Sequence, residues 1–143
     1  SSMGFGVPAA IAAKLAQPDK KVVCVTGDGG FMMMAGEMAT AARLNLPVVF
    51  VIMADRSLSL IRIKQDKHGC QTESTVLSSE DIPGLGNVFG VPVLTVRTAQ
   101  AYRSCLAEAL EASGPTIIEA VIDPCEYDDL VLRKHSWSQS EQE

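Results

Sequence analysis

The chain has only two histidines, His68 and His135, and its four cysteines, at 24, 70, 105 and 125, never fall in a C-x-x-C pair. That spacing argues against a zinc site. A basic stripe is also missing: 12 lysines and arginines against 17 aspartates and glutamates leave a net charge of -5. Nucleic acid and anionic membrane surfaces are therefore poor partners. No apolar run reaches the roughly 18 residues that a bilayer-spanning helix needs. There is no internal repeat or low-complexity linker, and no basic leader. The opening Ser1-Ser2-Met3-Gly4-Phe5-Gly6 reads instead as the interior of a longer polypeptide.

What is present is the composition of a globular domain, 47% hydrophobic and 20% charged. A chain of 143 residues can bury a real core. It divides into one domain over 1–135 and a polar tail over 136–143. Cys24 lies in an apolar strand and Cys105 in a helical pattern, which predicts buried thiols in a reducing, cytoplasmic compartment.

Apolar strands alternate with helical patterns. Pro8 to Ala16 predicts a helix with proline in its first turn. Strands are expected over 22–26, 48–53, 93–96 and 116–122. Strong helix formers fill 31–44, and Pro47 ends that stretch. Shorter helical patterns cover 58–66 and 81–89, and Ala99–Ser113 forms another, with Thr98 as N-cap and Gly114 just past its end. Residues 67–80 are polar and aperiodic, which predicts a loop free to move. Near-continuous apolar strands need cover on both faces. The expected fold is therefore α/β, a doubly wound parallel sheet with helices on both faces.

The chemistry concentrates at two strand ends. Gly27-Asp28-Gly29-Gly30 follows Val22-Val23-Cys24-Val25-Thr26, and Asp55 follows Val48-Val49-Phe50-Val51-Ile52-Met53. Asp28 and Asp55 stand 27 residues apart, about one βαβ unit, so both emerge on the same sheet edge, where open parallel sheets bind ligands. Gly27, Gly29 and Gly30 let backbone N–H groups approach a phosphate, and a helix starting near Phe31 points its positive end there. Two carboxylates beside a phosphate site favour Mg²⁺. The hydroxyls of Ser57 and Ser59 are further candidates to hold the diphosphate. A lone Asp-Gly-Gly is more often a simple turn; the neighbouring motifs weigh against that here.

Those motifs are Met3-Gly4-Phe5-Gly6-Val7-Pro8-Ala9-Ala10, Gly27-Asp28-Gly29-Gly30-Phe31, Glu37-Met38-Ala39-Thr40-Ala41, Leu46-Pro47-Val48-Val49 and Asp55-Arg56-Ser57-Leu58-Ser59-Leu60-Ile61. In this order the chain, from residue 1 to about 125, resembles the C-terminal, diphosphate-binding domain of thiamine-diphosphate enzymes of the acetohydroxyacid synthase and pyruvate decarboxylase group. The resemblance implies Mg²⁺ on Asp28, Asp55 and the carbonyl of Ser57. It implies a diphosphate lined by Gly27, Gly29 and Gly30, with Leu58 and Leu60 among the cofactor-binding residues. Met3 matches the apolar wedge that bends the cofactor, and the carbonyl of Ser1 matches the acceptor for its 4′-amino group. Leu60 and Lys64 fall where the family faces substrate. Two departures stand out. Ala54-Asp55 replaces the usual Asn-Asn or Asn-Asp, and the family's catalytic glutamate belongs to another domain, so that no catalytic residue is expected in this chain. None of Glu37, Glu73 or Glu80 matches that glutamate.

The implied activity is decarboxylation of a 2-oxo acid followed by transfer of the acyl carbanion to a carbonyl acceptor, as in acetolactate synthase. The runners-up are a simple 2-oxo acid decarboxylase and a non-catalytic α/β ligand-binding module. The implied partner is a pyrimidine-binding domain, from a second subunit of a homodimer or homotetramer. Other features are read as structural. Gly84-Leu85-Gly86-Asn87-Val88-Phe89-Gly90 has the wrong spacing for a dinucleotide fingerprint and follows no strand. Met32-Met33-Met34 suits core packing, Glu37 serves helix structure, and His68 and His135 read as surface residues. Asp123, Glu126, Asp128 and Asp129 form a solvated acidic patch, and Trp137 either docks on another domain or hangs free.

Overall fold

The computed structural model describes residues 2–72, 74–78 and 81–125. Ser1, Glu73, Glu80, His135, Trp137, the 136–143 tail and most of the acidic patch lie outside the described residues.

Eleven elements follow in order: α1 (Gly6–Ala16), β1 (Val22–Gly27), α2 (Asp28–Met32), a 3₁₀ turn (Ala35–Glu37), α3 (Met38–Arg43), β2 (Val48–Ala54), α4 (Ser59–Lys67), α5 (Asp81–Phe89), β3 (Val93–Val96), α6 (Ala99–Ala109) and β4 (Thr116–Val121). The four strands form one sheet in the order β1-β2-β4-β3. Every pairing is parallel. Parallel neighbours need long crossovers, which the helices supply.

Alternation along each strand divides the core in two. Cys24, Phe50, Ile52 and Ile117 pack on one face against Val7 and Ile11 of α1, Phe31 of α2, Met38 and Ala41 of α3, and Ile82 of α5. Val49, Val51, Val96, Ile118 and Ala120 pack on the other face against α6. Helices thus cover both faces, as expected. The second face is covered unevenly, because Val23 and Val25 of the edge strand β1 are 42% and 64% exposed. Phe31, Phe50 and Met38 are fully buried, each contributing about 1.5–3 kcal/mol of transfer free energy.

Three expectations need correction. The helix foreseen over 31–44 is three pieces, beginning at Asp28 rather than near Phe31. It narrows to a 3₁₀ turn around Gly36, a poor helix residue. The helix after Thr98 ends at Ala109, because Glu111 N–H and Ala112 N–H turn back three residues, to Glu108 and Ala109, and tighten the last turn. Thr98 does cap it, accepting the Ala101 N–H at 3.2 Å. Within the expected loop, residues 75–77 are anchored. Leu58 N–H donates to the Thr75 carbonyl and Leu77 N–H to the Arg56 carbonyl, at 2.7 and 2.9 Å, forming an antiparallel bridge between Ser57 and Val76.

One glycine of α5, Gly86, has a packing cause. A methyl on Gly86 would lie 2.1 Å from Val93 Cγ2 and 2.9 Å from the Val91 carbonyl oxygen. Only a bare α-carbon lets α5 approach β3 so closely.

Candidate functional site

The register of β1 against β2 sets Gly27 opposite Met53. Both strands finish at the same edge, so Asp28 and Asp55 leave the sheet side by side. Asp28 is 6% exposed. Its Oδ1 accepts the Gly29 N–H and its Oδ2 the Arg56 N–H, each at 2.7 Å. Arg56 reaches that position with φ +59°, a left-handed conformation uncommon for a residue with a β-carbon. Asp55 Oδ1 accepts the Ser57 N–H at 3.1 Å, and Asp55 Oδ2 the Ser59 hydroxyl at 2.5 Å.

Burial pushes the Asp28 carboxyl up from its ordinary value; the Arg56 and Gly29 N–H groups oppose this, and the Asp55 charge adds to it. Among the described residues the ion pairs are Lys21–Glu111 and Arg62–Asp66, and neither reaches the two aspartates. The aspartates therefore face each other without a cationic side chain between them.

A cavity of about 460 Å³ opens at this edge. Met3, Gly27, Asp28, Gly29, Gly30, Asp55, Ser57, Leu58 and Leu60 all line it. Lys64, one turn beyond Leu60 on α4, is exposed and does not line the cavity. Ser1 lies outside the described residues, while its neighbour Ser2 lines the opening.

Two of the three glycines also have a packing reason to lack a side chain. A methyl on Gly29 would fall 2.4 Å from Leu58 Cδ2, and one on Gly30 2.9 Å from Thr26 Oγ1. The protein itself occupies that space. The Gly29 N–H is also engaged, by Asp28. A methyl on Gly27, by contrast, would meet nothing within 4 Å, so the surroundings of this glycine stay open. Ser59, expected to hold the diphosphate, directs its hydroxyl at Asp55 instead. Ser57 Oγ is buried without a hydrogen-bond partner.

Sequence reasoning missed Phe5, Val25, Thr26, Met53 and Ile61, which also line the cavity. Val25 and Thr26 sit just before the glycines, and Met53 just before Ala54-Asp55, so the last residues of each strand carried the usable signal.

The donor set suits a hard divalent ion: carboxylate and main-chain oxygens, with no histidine or cysteine lining the cavity. Among the described residues no three His, Cys, Asp or Glu side chains converge. A cation here would use Asp28, Asp55, a main-chain oxygen such as that of Ser57, and oxygens brought by the ligand. The two uncompensated carboxylates and the orphaned Ser57 hydroxyl fit such an occupant.

Residues 1–120 match the family described as thiamine pyrophosphate enzyme, C-terminal TPP binding domain. The probable acetolactate synthase large subunit of Methanococcus aeolicus is 36% identical over 125 residues, 86% of this chain and 21% of that protein. The acetolactate synthase of Bacillus subtilis is 34% identical over 122 residues, 85% of this chain and 21% of that protein. Among solved structures, the thiamine diphosphate-dependent 4-hydroxybenzoylformate decarboxylase of Rhodococcus jostii RHA1 superposes with a TM-score of 0.76 at 31% identity, covering 85% of this chain and 24% of that one. The chain thus spans about a fifth of the length of the curated relatives it matches. With the paired aspartates, the glycine turn and the match over residues 1–120 in agreement, this chain belongs to the thiamine pyrophosphate enzymes and is their C-terminal, cofactor-binding domain.

Proposed function

We propose that this domain holds the diphosphate and Mg²⁺ in an enzyme that decarboxylates a 2-oxo acid and passes the acyl unit to a carbonyl acceptor. The observation that carries the reading is the pair Asp28 and Asp55, brought together at one wall of a cavity of about 460 Å³. Asp28, Asp55 and the Ser57 carbonyl would hold the cation, and Gly27, Gly29 and Gly30 would border the diphosphate. Met3, 52% exposed at the cavity wall, offers an apolar support for the rest of the cofactor. Ser1 and Lys64 keep the roles implied by the family resemblance, as 4′-amino acceptor and substrate contact. When bound, thiamine diphosphate supplies the carbon nucleophile and the electron sink. This chain's own contribution is to bind and orient.

The acetolactate synthases among the relatives favour carboligation. The Rhodococcus jostii decarboxylase supports the second reading, a simple 2-oxo acid decarboxylase. A ligand-binding module without catalysis is separated from both by turnover of the full-length protein.

The rest of the active site is assigned to another domain. Of the described glutamates, Glu37 and Glu119 do not line the cavity, and Glu119 is buried, accepting the Thr95 hydroxyl at 2.7 Å. Met3, Phe5, Val25, Leu60 and Ile61 form an exposed apolar rim. Exposed patches of this kind mark interaction surfaces. We assign that rim to the pyrimidine-binding domain of a second subunit, in a homodimer or homotetramer. Among the described residues no helix is long and apolar enough to cross a membrane, and buried Cys24 suits a reducing, cytoplasmic setting. Calorimetric titration with thiamine diphosphate, with and without Mg²⁺, tests the reading. Saturable binding only with Mg²⁺ is the expected result, and binding indifferent to Mg²⁺ overturns the site.

A further inference from the structure

Ser59 is the first residue of α4 and is 5% exposed. Serine near a helix start ordinarily bonds the helix backbone. Here the N-cap is Leu58, without a side-chain cap, and the Ser59 hydroxyl donates to Asp55 Oδ2 at 2.5 Å. That is a short, charge-assisted O–H···O⁻ bond.

The two aspartates are gripped at all four carboxylate oxygens. Gly29 and Arg56 N–H groups hold Asp28, and the Ser57 N–H holds Asp55 Oδ1. Of these grips, Ser59's is the one made by a side chain. Each oxygen keeps a lone pair for a cation. Ser59 also begins the helix whose next residues, Leu60 and Ile61, line the cavity.

We propose that Ser59 is a positioning residue. Its hydroxyl orients the Asp55 carboxylate so that Asp55 and Asp28 share one divalent cation. Through the same bond the cation is tied to α4 and to the cavity wall formed by Leu60 and Ile61. This rests on the thiamine-diphosphate reading above. Groups that orient a metal ligand typically alter metal affinity by about 10–100-fold when removed.

The test uses the full-length protein and Mn²⁺ as probe, with bound ion counted by electron paramagnetic resonance in the presence of thiamine diphosphate. Ser59→Ala should weaken Mn²⁺ binding by about 10–100-fold. Ser59→Thr, which keeps the hydroxyl, should bind close to wild type. Combined with Asp55→Asn, Ser59→Ala should add much less than it does alone, because its effect passes through the carboxylate. At saturating Mn²⁺ the wild type should protect the bonds after Arg62 and Lys64 from trypsin, and Ser59→Ala should not. Should Ser59→Ala fail to fold, Ser59→Gly removes the same hydroxyl at a helix start. Wild-type affinity in a folded hydroxyl-free variant overturns the proposal. So does a loss of equal size with or without Asp55→Asn, the mark of a merely structural effect. A wild type that binds Mn²⁺ without regard to thiamine diphosphate overturns the functional reading, and the role of Ser59 with it.

Discussion

The backbone N–H of Arg56 donates to Asp28 Oδ2 at 2.7 Å. This bond ties the end of β2 to the end of β1. Arg56 itself is left-handed, so the chain turns sharply just past this bond. The bond also keeps two like-charged carboxylates close, a costly arrangement unless something positive joins them.

Asp28→Ala should abolish Mg²⁺-dependent binding of thiamine diphosphate. It should also cost about 1–3 kcal/mol of stability, because the Gly29 and Arg56 N–H groups lose their acceptor in a buried place. Calorimetry and urea unfolding of the full-length variant check both. Unaltered Mg²⁺ dependence would remove Asp28 from the site.

Asp55→Asn should leave the fold intact. The amide oxygen can keep the Ser57 N–H, and the amide nitrogen can donate to Ser59, whose hydroxyl accepts as well as donates. Mg²⁺ affinity should fall, since the ion loses an anionic oxygen. Tighter Mg²⁺ binding by this variant would contradict the assignment.

The 143-residue chain alone should show no turnover of a 2-oxo acid such as pyruvate. No described glutamate lines the cavity to serve the pyrimidine ring, and the open apolar rim leaves bound cofactor wet. Steady decarboxylation by the purified chain would refute the division of labour between domains.

Gly86→Ala should destabilise the domain by about 1–3 kcal/mol, the usual penalty of overpacking. Alanine is the better helix former by about 1 kcal/mol, but the Val91 carbonyl at 2.9 Å cannot rotate out of the way. A rise in melting temperature would show that α5 slides freely over β3.

Cys24 should resist alkylation under conditions that modify exposed Cys70. Burial raises the Cys24 thiol above its ordinary 9.0. The folded chain then holds this proton more tightly than the unfolded chain. The thiol's contribution to stability is complete below about pH 9 and is lost as pH rises through the raised value. Rates of iodoacetamide labelling, followed by mass spectrometry, decide it; equal rates at the two cysteines would contradict the burial.

Much of this domain was legible from residue order. The apolar runs at 22–26, 48–53, 93–96 and 116–122 marked four strands because such runs are local signals, strongest in the central strands β2 and β4, which are buried on both faces. Thr98 announced its helix because a cap acts within three residues. The break in 31–44 was hidden because every residue but Gly36 favours or tolerates helix, and small propensity differences do not locate a break. Residues 75–77 looked unattached because their partners at 56–58 lie on the other side of the whole helix α4 in the chain, a pairing no local pattern encodes.

By itself the sequence determined the fold class, the two aspartates and their arrival at one sheet edge, since strand lengths and a βαβ spacing are properties of the chain read in order. Only the tertiary structure decided what surrounds them. That Leu58 fills the space above Gly29, that Ser59 turns to Asp55 and that Lys64 stands outside the cavity depend on how the segment leading into α4 packs against the start of α2. Hydrogen bonds and close contacts act over a few ångströms, so residues distant in sequence acquire their partners only when packing brings them within reach.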